Sequence, residues 1–199
     1  MSRKETKTEF KFESAIYAEK EVNIISAAQK LFLRHGLKKV SMSDIAEASK
    51  LSRPTLYAAF ASKAEVVEGL IKLHTEMNRQ KTLQRVSSDQ PLRAQVEEIC
   101  EVWITEPFAS AIDTEHGKEV METIEEFAGD TVNEMYAALE DSLVSVLKPH
   151  FEKKTSLSAK DVAHIIATAT RGLKVSTETL PELRRLIKGL ITMTMALVK

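Results

Sequence analysis

Apolar residues recur three and four positions apart along most of the chain, which is the spacing of one face of an α-helix. Between about Lys20 and His35, for example, Ile24, Ala28 and Phe32 would share a face. The chain has no Asn-Gly or Asp-Gly hairpin turn, and its apolar residues do not alternate with polar ones as in strands. The pattern therefore predicts an all-α fold of about nine helices.

Capping residues divide this pattern into elements. Gly36 is expected to end the first helix, and Ser41 with Asp44 resembles a capping box that begins a second helix, which continues to about residue 48. Ser52 is expected to cap a third helix with Pro54 in its first turn, and this helix ends near residue 60. Six further helices are expected at about 62–85, 91–103, 108–112, 118–151, 158–173 and 179–197, with a break near Pro107. Ser62 with Glu65 would form a capping box at the start of the first of these, and Ser158 with Asp161 would begin the fifth.

Two short helices joined by a tight break, between Asp44 and Tyr57, have the layout of a helix-turn-helix unit. In such a unit the second helix lies in the major groove of DNA and the first crosses the backbone. Ile45 would pack inward, and Leu51 and Leu56 would fix the angle between the two helices. This segment indicates binding to double-stranded DNA.

The distribution of charge supports that interpretation. Residues 1–63 contain twelve Lys or Arg against seven Asp or Glu, whereas the rest of the chain contains 16 basic and 22 acidic residues. The first part of the chain therefore suits a polyanion, and the second part does not.

Composition narrows the possibilities for cofactors, metals and location in the cell. Cys100 is the only cysteine and the five histidines are dispersed, so we expect no cofactor and no metal site. No apolar run approaches the roughly 20 residues of a membrane span, and the N-terminus lacks the apolar region of a secretory signal. We expect a cytoplasmic protein without a membrane partner.

An ordered series of residues runs through the helix-turn-helix segment and both of its flanks: Ile24, Ala27, Ala28, Leu31, Phe32, Gly36, Ser43, Asp44, Ile45, Ala46, Ala48, Ser52, Thr55, Leu56, Tyr57, Phe60, Ser62 and Lys63. Over about residues 22–70, this series resembles the tetracycline-repressor (TetR) family of transcription regulators. The chain departs from the family at Lys50, where glycine is usual, so Lys50 would have to adopt a left-handed conformation. Ala58 and Ala59 also replace aromatic or polar residues.

The resemblance implies a set of DNA-binding residues: Ser41, Ser43, Ser52, Arg53, Pro54, Thr55, Tyr57 and Lys63. Arg53 is the candidate for reading a guanine edge, with binding to phosphate alone as the alternative. Pro54 would contact a thymine methyl group, and Thr55, Tyr57 and Lys63 would bind phosphates. The alternatives are a partly buried aromatic ring for Tyr57 and a merely solvated ammonium for Lys63.

The resemblance also implies the domain organisation. Residues 1–19 would form a mobile arm or extend the first helix, residues 20–66 the DNA-binding domain, and residues 67–199 a helical domain for ligand binding and dimerisation. The candidate pocket residues are His74, Trp103, Phe108, Met121, Phe127 and Tyr136, with plain core packing as the alternative. The candidate dimer residues are Ile166, Thr170, Leu173, Leu183, Ile187 and Leu190.

Ten carboxylates lie between residues 97 and 126, with Lys118 as the one basic residue among them: Glu97, Glu98, Glu101, Glu106, Asp113, Glu115, Glu119, Glu122, Glu125 and Glu126. They indicate either solvated helix faces or an acidic pocket for a cationic ligand. Solvated faces are favoured because an unpaired buried carboxylate costs several kcal/mol.

The sequence thus predicts a transcriptional regulator and not an enzyme, most simply a ligand-responsive repressor that binds a palindromic operator as a homodimer. The ligand would be a small-molecule effector of unidentified chemistry. Two alternatives stay open at this point: a DNA-binding regulator whose second domain senses a protein partner, and a helical enzyme.

Overall fold

A computed structural model describes residues 16–151 and 157–197 of the chain, and this part contains helices and no strand. Its α-helices are α1 (Glu19–His35), α2 (Met42–Ala48), α3 (Arg53–Ala59), α4 (Lys63–Arg85), α5 (Leu92–Cys100), α6 (Glu106–Ile112), α7 (Gly117–Leu147), α8 (Ala159–Ser176) and α9 (Leu180–Leu197). The predicted all-α fold is confirmed. The first 15 residues of the expected arm lie outside the described residues, and α4 runs unbroken across the expected domain boundary at residue 66.

The predicted caps explain where several helices begin. The Ser41 hydroxyl accepts a hydrogen bond from the Asp44 amide at 3.3 Å, and the Asp44 carboxylate accepts one from the Ser41 amide at 2.8 Å. Ser158 and Asp161 form the same reciprocal pair at the start of α8. The predicted capping box of Ser62 and Glu65 is only half present, because the Glu65 carboxylate accepts from the Ala61 amide.

A π-helical turn, Glu101–Thr105, joins α5 and α6 into one continuous rod. The Glu106 amide donates to the Glu101 carbonyl, five residues earlier, as the wider turn requires. A proline in a regular helix clashes with the carbonyl four residues before it, and the wide turn accommodates Pro107 at this point. The expected break near Pro107 is therefore absent.

The long helix α7 is kinked at Ala128, whose φ of −152° and ψ of 44° are not helical. It packs against α4 and α8, while α5 and α9 pack against each other. The core continues from the first three helices into the rest of the chain through buried side chains that include Phe32, Phe108 and Leu139. No helix within the described residues is long and apolar enough to cross a lipid bilayer.

Candidate DNA interface and ligand cavity

The helix-turn-helix is held by its apolar residues. Ile45 and Leu56 are fully buried, and Leu51 is half-buried against the same core, as the sequence predicted. Lys50 has a φ of +57° and is the only residue other than glycine with a positive φ in the described part of the chain. The expected left-handed turn is therefore present, and it lets the Leu51 amide donate to the Ala46 carbonyl at 2.9 Å.

The turn leaves one face of α3 open to solvent. Arg53, Pro54 and Tyr57 are exposed, and Tyr57 keeps 51% of its surface accessible. The Arg53 guanidinium has no hydrogen-bond or carboxylate partner within the described residues. Ser52 is exposed at the N-cap of the helix, where its hydroxyl lies 2.7 Å from that of the half-buried Thr55. The major groove of DNA is wide enough to admit an α-helix, and these residues lie on the accessible side of α3.

Ser41 and Ser43 lie at the start of α2, with Ser41 exposed and Ser43 half-buried. The Ser41 hydroxyl donates to the Asp44 carboxylate at 2.7 Å, and this hydrogen bond holds the pKa of the Asp44 carboxyl below its usual range. Ser41 is therefore committed to capping α2, while the Ser43 hydroxyl has no partner within the described residues.

Lys63 has a position that the sequence did not predict. Its ammonium donates to three backbone carbonyls of the α1–α2 connection, those of Leu37 at 2.9 Å, Lys38 at 3.2 Å and Val40 at 2.9 Å. It also lies over the Phe127 ring of α7. Partial burial lowers the pKa of Lys63. In this conformation the three ammonium hydrogens are occupied, so none is available for a phosphate.

A cavity of about 160 Å³ lies between α1, α4, the π turn with α6, α7 and α8. Four of the six predicted pocket residues line it: His74, Trp103, Met121 and Tyr136. Phe108 is fully buried in the core and does not reach the cavity, and Phe127 faces Lys63 instead. The sequence did not indicate Asn78, Arg171 or Lys174, which also border the cavity, because hydrophobic spacing carries no information about them.

Polar groups at the cavity differ in whether they have partners. The Arg171 guanidinium binds the Glu125 carboxylate through two nitrogens, at 2.8 Å and 2.7 Å. This pair holds the pKa of the Glu125 carboxyl below its usual range. The Trp103 indole donates to the Thr82 hydroxyl at 2.8 Å. Burial, with smaller contributions from Lys81 and Lys174, lowers the pKa of His74 to about 4, so its imidazole is neutral at pH 7.

Most of the predicted acidic cluster does not face the cavity. Glu97, Glu98, Glu101, Glu106 and Glu126 form ion pairs with arginines or lysines, and Glu125 is the one carboxylate that borders the cavity within the described residues. The structure therefore does not contain the acidic pocket that the sequence left open.

Four of the six residues expected at a dimer interface belong to the core of the subunit: Ile166, Thr170, Leu183 and Ile187. They are removed from the surface that a second copy could contact, while Leu173 and Leu190 are partly accessible. The exposed large apolar residues of α8 and α9 are Ile165, Val175, Met193 and Leu197. The sequence pattern identified the stronger apolar stripe of each helix, which packs inward.

Comparison with known proteins agrees with this geometry. The sequence model of the family described as bacterial regulatory proteins, tetR family, matches residues 24–70, from α1 into α4. The match covers the DNA-binding segment of this family, about a quarter of the chain. It supports a DNA-binding transcriptional regulator. No protein with a curated description matches its sequence.

Solved structures of transcription regulators share this fold over most of the chain. The fatty acid degradation regulator FadR from Bacillus halodurans has a TM-score of 0.69 at 17% identity, over 89% of this chain and 95% of that one. A regulator from Haloarcula marismortui has a TM-score of 0.71 at 13% identity, over 92% and 100%. SmeT, the repressor of a Stenotrophomonas maltophilia multidrug efflux pump, has a TM-score of 0.65 at 18% identity, over 90% of each chain. At these identities the similarity concerns the fold alone.

Proposed function

We propose that this regulator is a ligand-responsive repressor, which binds a palindromic operator as a homodimer and releases it when a small molecule occupies the cavity. The observation that carries the proposal is that the cavity and the DNA-binding helices share the same structural elements. Gln29, Phe32 and Leu33 of α1 line the cavity directly. A ligand there would contact the helix against which α2 packs.

The first turns of α7 provide a second connection. The His116 amide, just before α7, donates to the Leu33 carbonyl at 3.0 Å, and Lys38 pairs with Glu126 at 3.0 Å. Gly36 leaves no room for a side chain, because a Cβ atom there would lie 2.6 Å from the Glu119 carboxylate. A ligand that moves α7 would therefore move the connection that leads to α2, provided that it binds the two arrangements with different affinity.

The exposed faces of α8 and α9 are the proposed dimer surface. Two recognition helices must lie on one face of a duplex, about one helical turn apart, and a two-fold dimer places them there. Ile165, Val175 and Met193 are large apolar side chains left in solvent, and Met193 is 65% exposed. Gly172 and Gly189 keep the backbone of each helix accessible to close approach.

Selection of duplexes from a random library with the purified full chain tests whether the operator is palindromic. We expect enrichment of an inverted repeat whose half-sites are spaced by about 10 base pairs or a multiple. Enrichment of a single unrepeated site, or no enrichment at low salt, would contradict the proposal.

Sedimentation velocity tests the dimer surface. Met193→Glu should shift the protein to monomers, because it places a charge in an apolar interface. Leu83→Glu is the matched control, since Leu83 is 76% exposed on α4, away from the proposed surface, and this variant should remain dimeric. Equal behaviour of the two variants would place the interface elsewhere.

A further inference from the structure

One cation at the cavity forms no salt bridge. Within the described residues, the Lys174 ammonium makes no salt bridge and no hydrogen bond, and it lies 5.8 Å from the centre of the Tyr136 ring. Its charge makes only a minor contribution to the lowered pKa of the Glu125 carboxyl, after that of Arg171. Arg171 lies over the same ring at 5.2 Å, but its charge is matched by Glu125. With His74 neutral, the ionised side chains at the cavity therefore carry one excess positive charge.

Two nearly buried polar side chains also lack partners. Asn78 and Tyr136 are 4% and 8% exposed, and neither the amide of Asn78 nor the hydroxyl of Tyr136 has a hydrogen bond within the described residues. Within the described residues, every enclosed polar side-chain atom has a hydrogen-bond partner. The unpaired groups of Asn78 and Tyr136 are therefore not enclosed and must be accessible to open space. The open space that both residues border is the cavity. Accessible groups without a protein partner can form hydrogen bonds with a polar ligand atom that enters the cavity, in place of water.

Most of the remaining wall is apolar, and the cavity is small. Leu70, Met121, Ile124, Val132 and Met135 contribute aliphatic or thioether surface. A cavity of about 160 Å³ is close to the roughly 150 Å³ that holds a benzene molecule. The apolar part of a ligand is therefore limited to about one aromatic ring or a chain of similar volume.

We propose that the cavity binds a compact amphipathic carboxylate, with its anionic group at the Lys174 ammonium and its ring or short chain among the apolar residues. The Asn78 amide and the Tyr136 hydroxyl supply hydrogen bonds to the polar end of the ligand. A neutral ligand would cover Lys174 without balancing its charge, and a cation would be repelled by it. Glu125 does not reverse this preference, because it is paired with Arg171 and the three charged side chains together keep one excess positive charge. The inference rests on the proposed regulatory function and assigns a ligand class to it.

Three ligands of nearly equal shape separate the charge states: benzoate, benzamide and benzamidine. Calorimetric titration of the full chain should detect benzoate, with benzamide at least about tenfold weaker and benzamidine undetectable, because a charge-assisted hydrogen bond contributes about 1.5–3 kcal/mol. Hexanoate, titrated in parallel, determines whether a flexible chain replaces the ring. Tighter binding of benzamide or benzamidine than of benzoate would overturn the assignment. So would the failure of both carboxylates to bind at about 10 mM.

Lys174→Met tests the role of the ammonium. It should weaken benzoate binding about 10- to 100-fold while leaving benzamide binding unchanged. Lys160→Met is the matched control, since Lys160 is exposed near the start of the same helix, and it should bind benzoate like the unaltered chain. Circular dichroism melts establish that both variants fold. If Lys174→Met melts early, Lys174→Gln repeats the test. Unchanged benzoate affinity in a folded Lys174 variant would overturn the proposal.

The titrations contain no DNA, so the two proposals fail separately. If no carboxylate binds, the enrichment of an operator sequence is unaffected. If the chain does not bind duplex DNA, it could still bind benzoate. A carboxylate that binds should also lower operator affinity in fluorescence anisotropy, and an unchanged affinity would contradict the regulatory role of the site.

Discussion

The ammonium nitrogen of Lys63 lies 5.1 Å from the centre of the Phe127 ring. This contact joins the first turn of α4 to α7. The same ammonium donates to the carbonyls of Leu37, Lys38 and Val40, so one side chain connects three segments of the chain. Lys63 therefore fixes the position of the DNA-binding helices relative to the cavity wall.

Replacement of Lys63 by methionine should destabilise the protein. The change leaves three carbonyls without their charged donor, and we expect a loss of about 2 kcal/mol in the free energy of unfolding, measured by urea titration. Lys72→Met is the control, because Lys72 makes only an exposed pair with Glu68 at 3.6 Å, and it should cost less than about 0.5 kcal/mol. If Lys63→Met kept its stability but lost about one unit of salt slope in DNA binding, Lys63 would instead be a phosphate contact.

Arg53 should determine part of the operator preference. Arg53→Ala is expected to cost about 1–3 kcal/mol on the selected operator and to relax the preference at one base pair per half-site. Arg34→Ala removes an equal charge from the end of α1 and should reduce affinity for all sequences alike. Anisotropy titrations on the operator and on a scrambled duplex separate the two effects. Parallel losses in both variants would show that Arg53 binds phosphate only.

Lys50 should be a site where glycine stabilises the protein. A left-handed conformation costs a residue with a side chain about 1–2 kcal/mol, and glycine avoids that cost but loses more backbone entropy on folding. We expect Lys50→Gly to raise the free energy of unfolding by about 0.5–1 kcal/mol. Lys50→Ala removes the same charge but keeps the strain, so it should give no gain. Equal stability of the two variants would mean that the turn is not strained.

His74 should make stability depend on pH between about 6.5 and 4. Its folded pKa is lowered to about 4, so the unfolded chain binds a proton that the folded chain excludes, and stability falls as the pH drops through this window. The loss should reach about 2 kcal/mol between pH 7 and pH 5. His74→Gln should remove this slope in urea titrations, whereas His150→Gln, at an exposed position, should retain it.

The carboxyl groups affect the stability of the protein in a lower pH range than His74. Asp44, Glu106, Glu125 and Asp161 have lowered pKa values, so their stabilising contributions are present above the ordinary carboxyl range and are lost only as the pH falls below it. A slope between pH 7 and pH 5 that persists in His74→Gln would contradict the assignment to His74.

Local rules predicted the helices well because caps and breaks act within a few residues. Ser41 with Asp44, Ser158 with Asp161, and the left-handed Lys50 all involve neighbours in sequence. The π turn and the kink at Ala128 depend instead on how distant helices pack, and no residue type specifies them. Pro107 was the one indication of irregularity, and it predicted a break where the chain forms a wider turn.

The candidate sites were predicted less completely than the fold. Helices that pack on both sides have two apolar stripes, so spacing alone could not separate Ile166, in the core, from Ile165, on the surface. Likewise Phe108 and Phe127 share the helical spacing of the cavity residues but point elsewhere. Charged groups such as Lys174 enter a cavity through the crossing of helices, which is a tertiary property.

The π turn also bears on how this regulator can change over time. Such a turn holds one residue more than the regular helix it interrupts, and its wider winding absorbs that residue. Loss of one residue from Glu101–Thr105 would therefore restore regular winding and leave α6 in nearly the same orientation relative to α5. Trp103, which borders the cavity, lies within this turn. A deletion of three nucleotides would thus alter one wall of the receptor's chamber while the DNA-reading surface stays as it is.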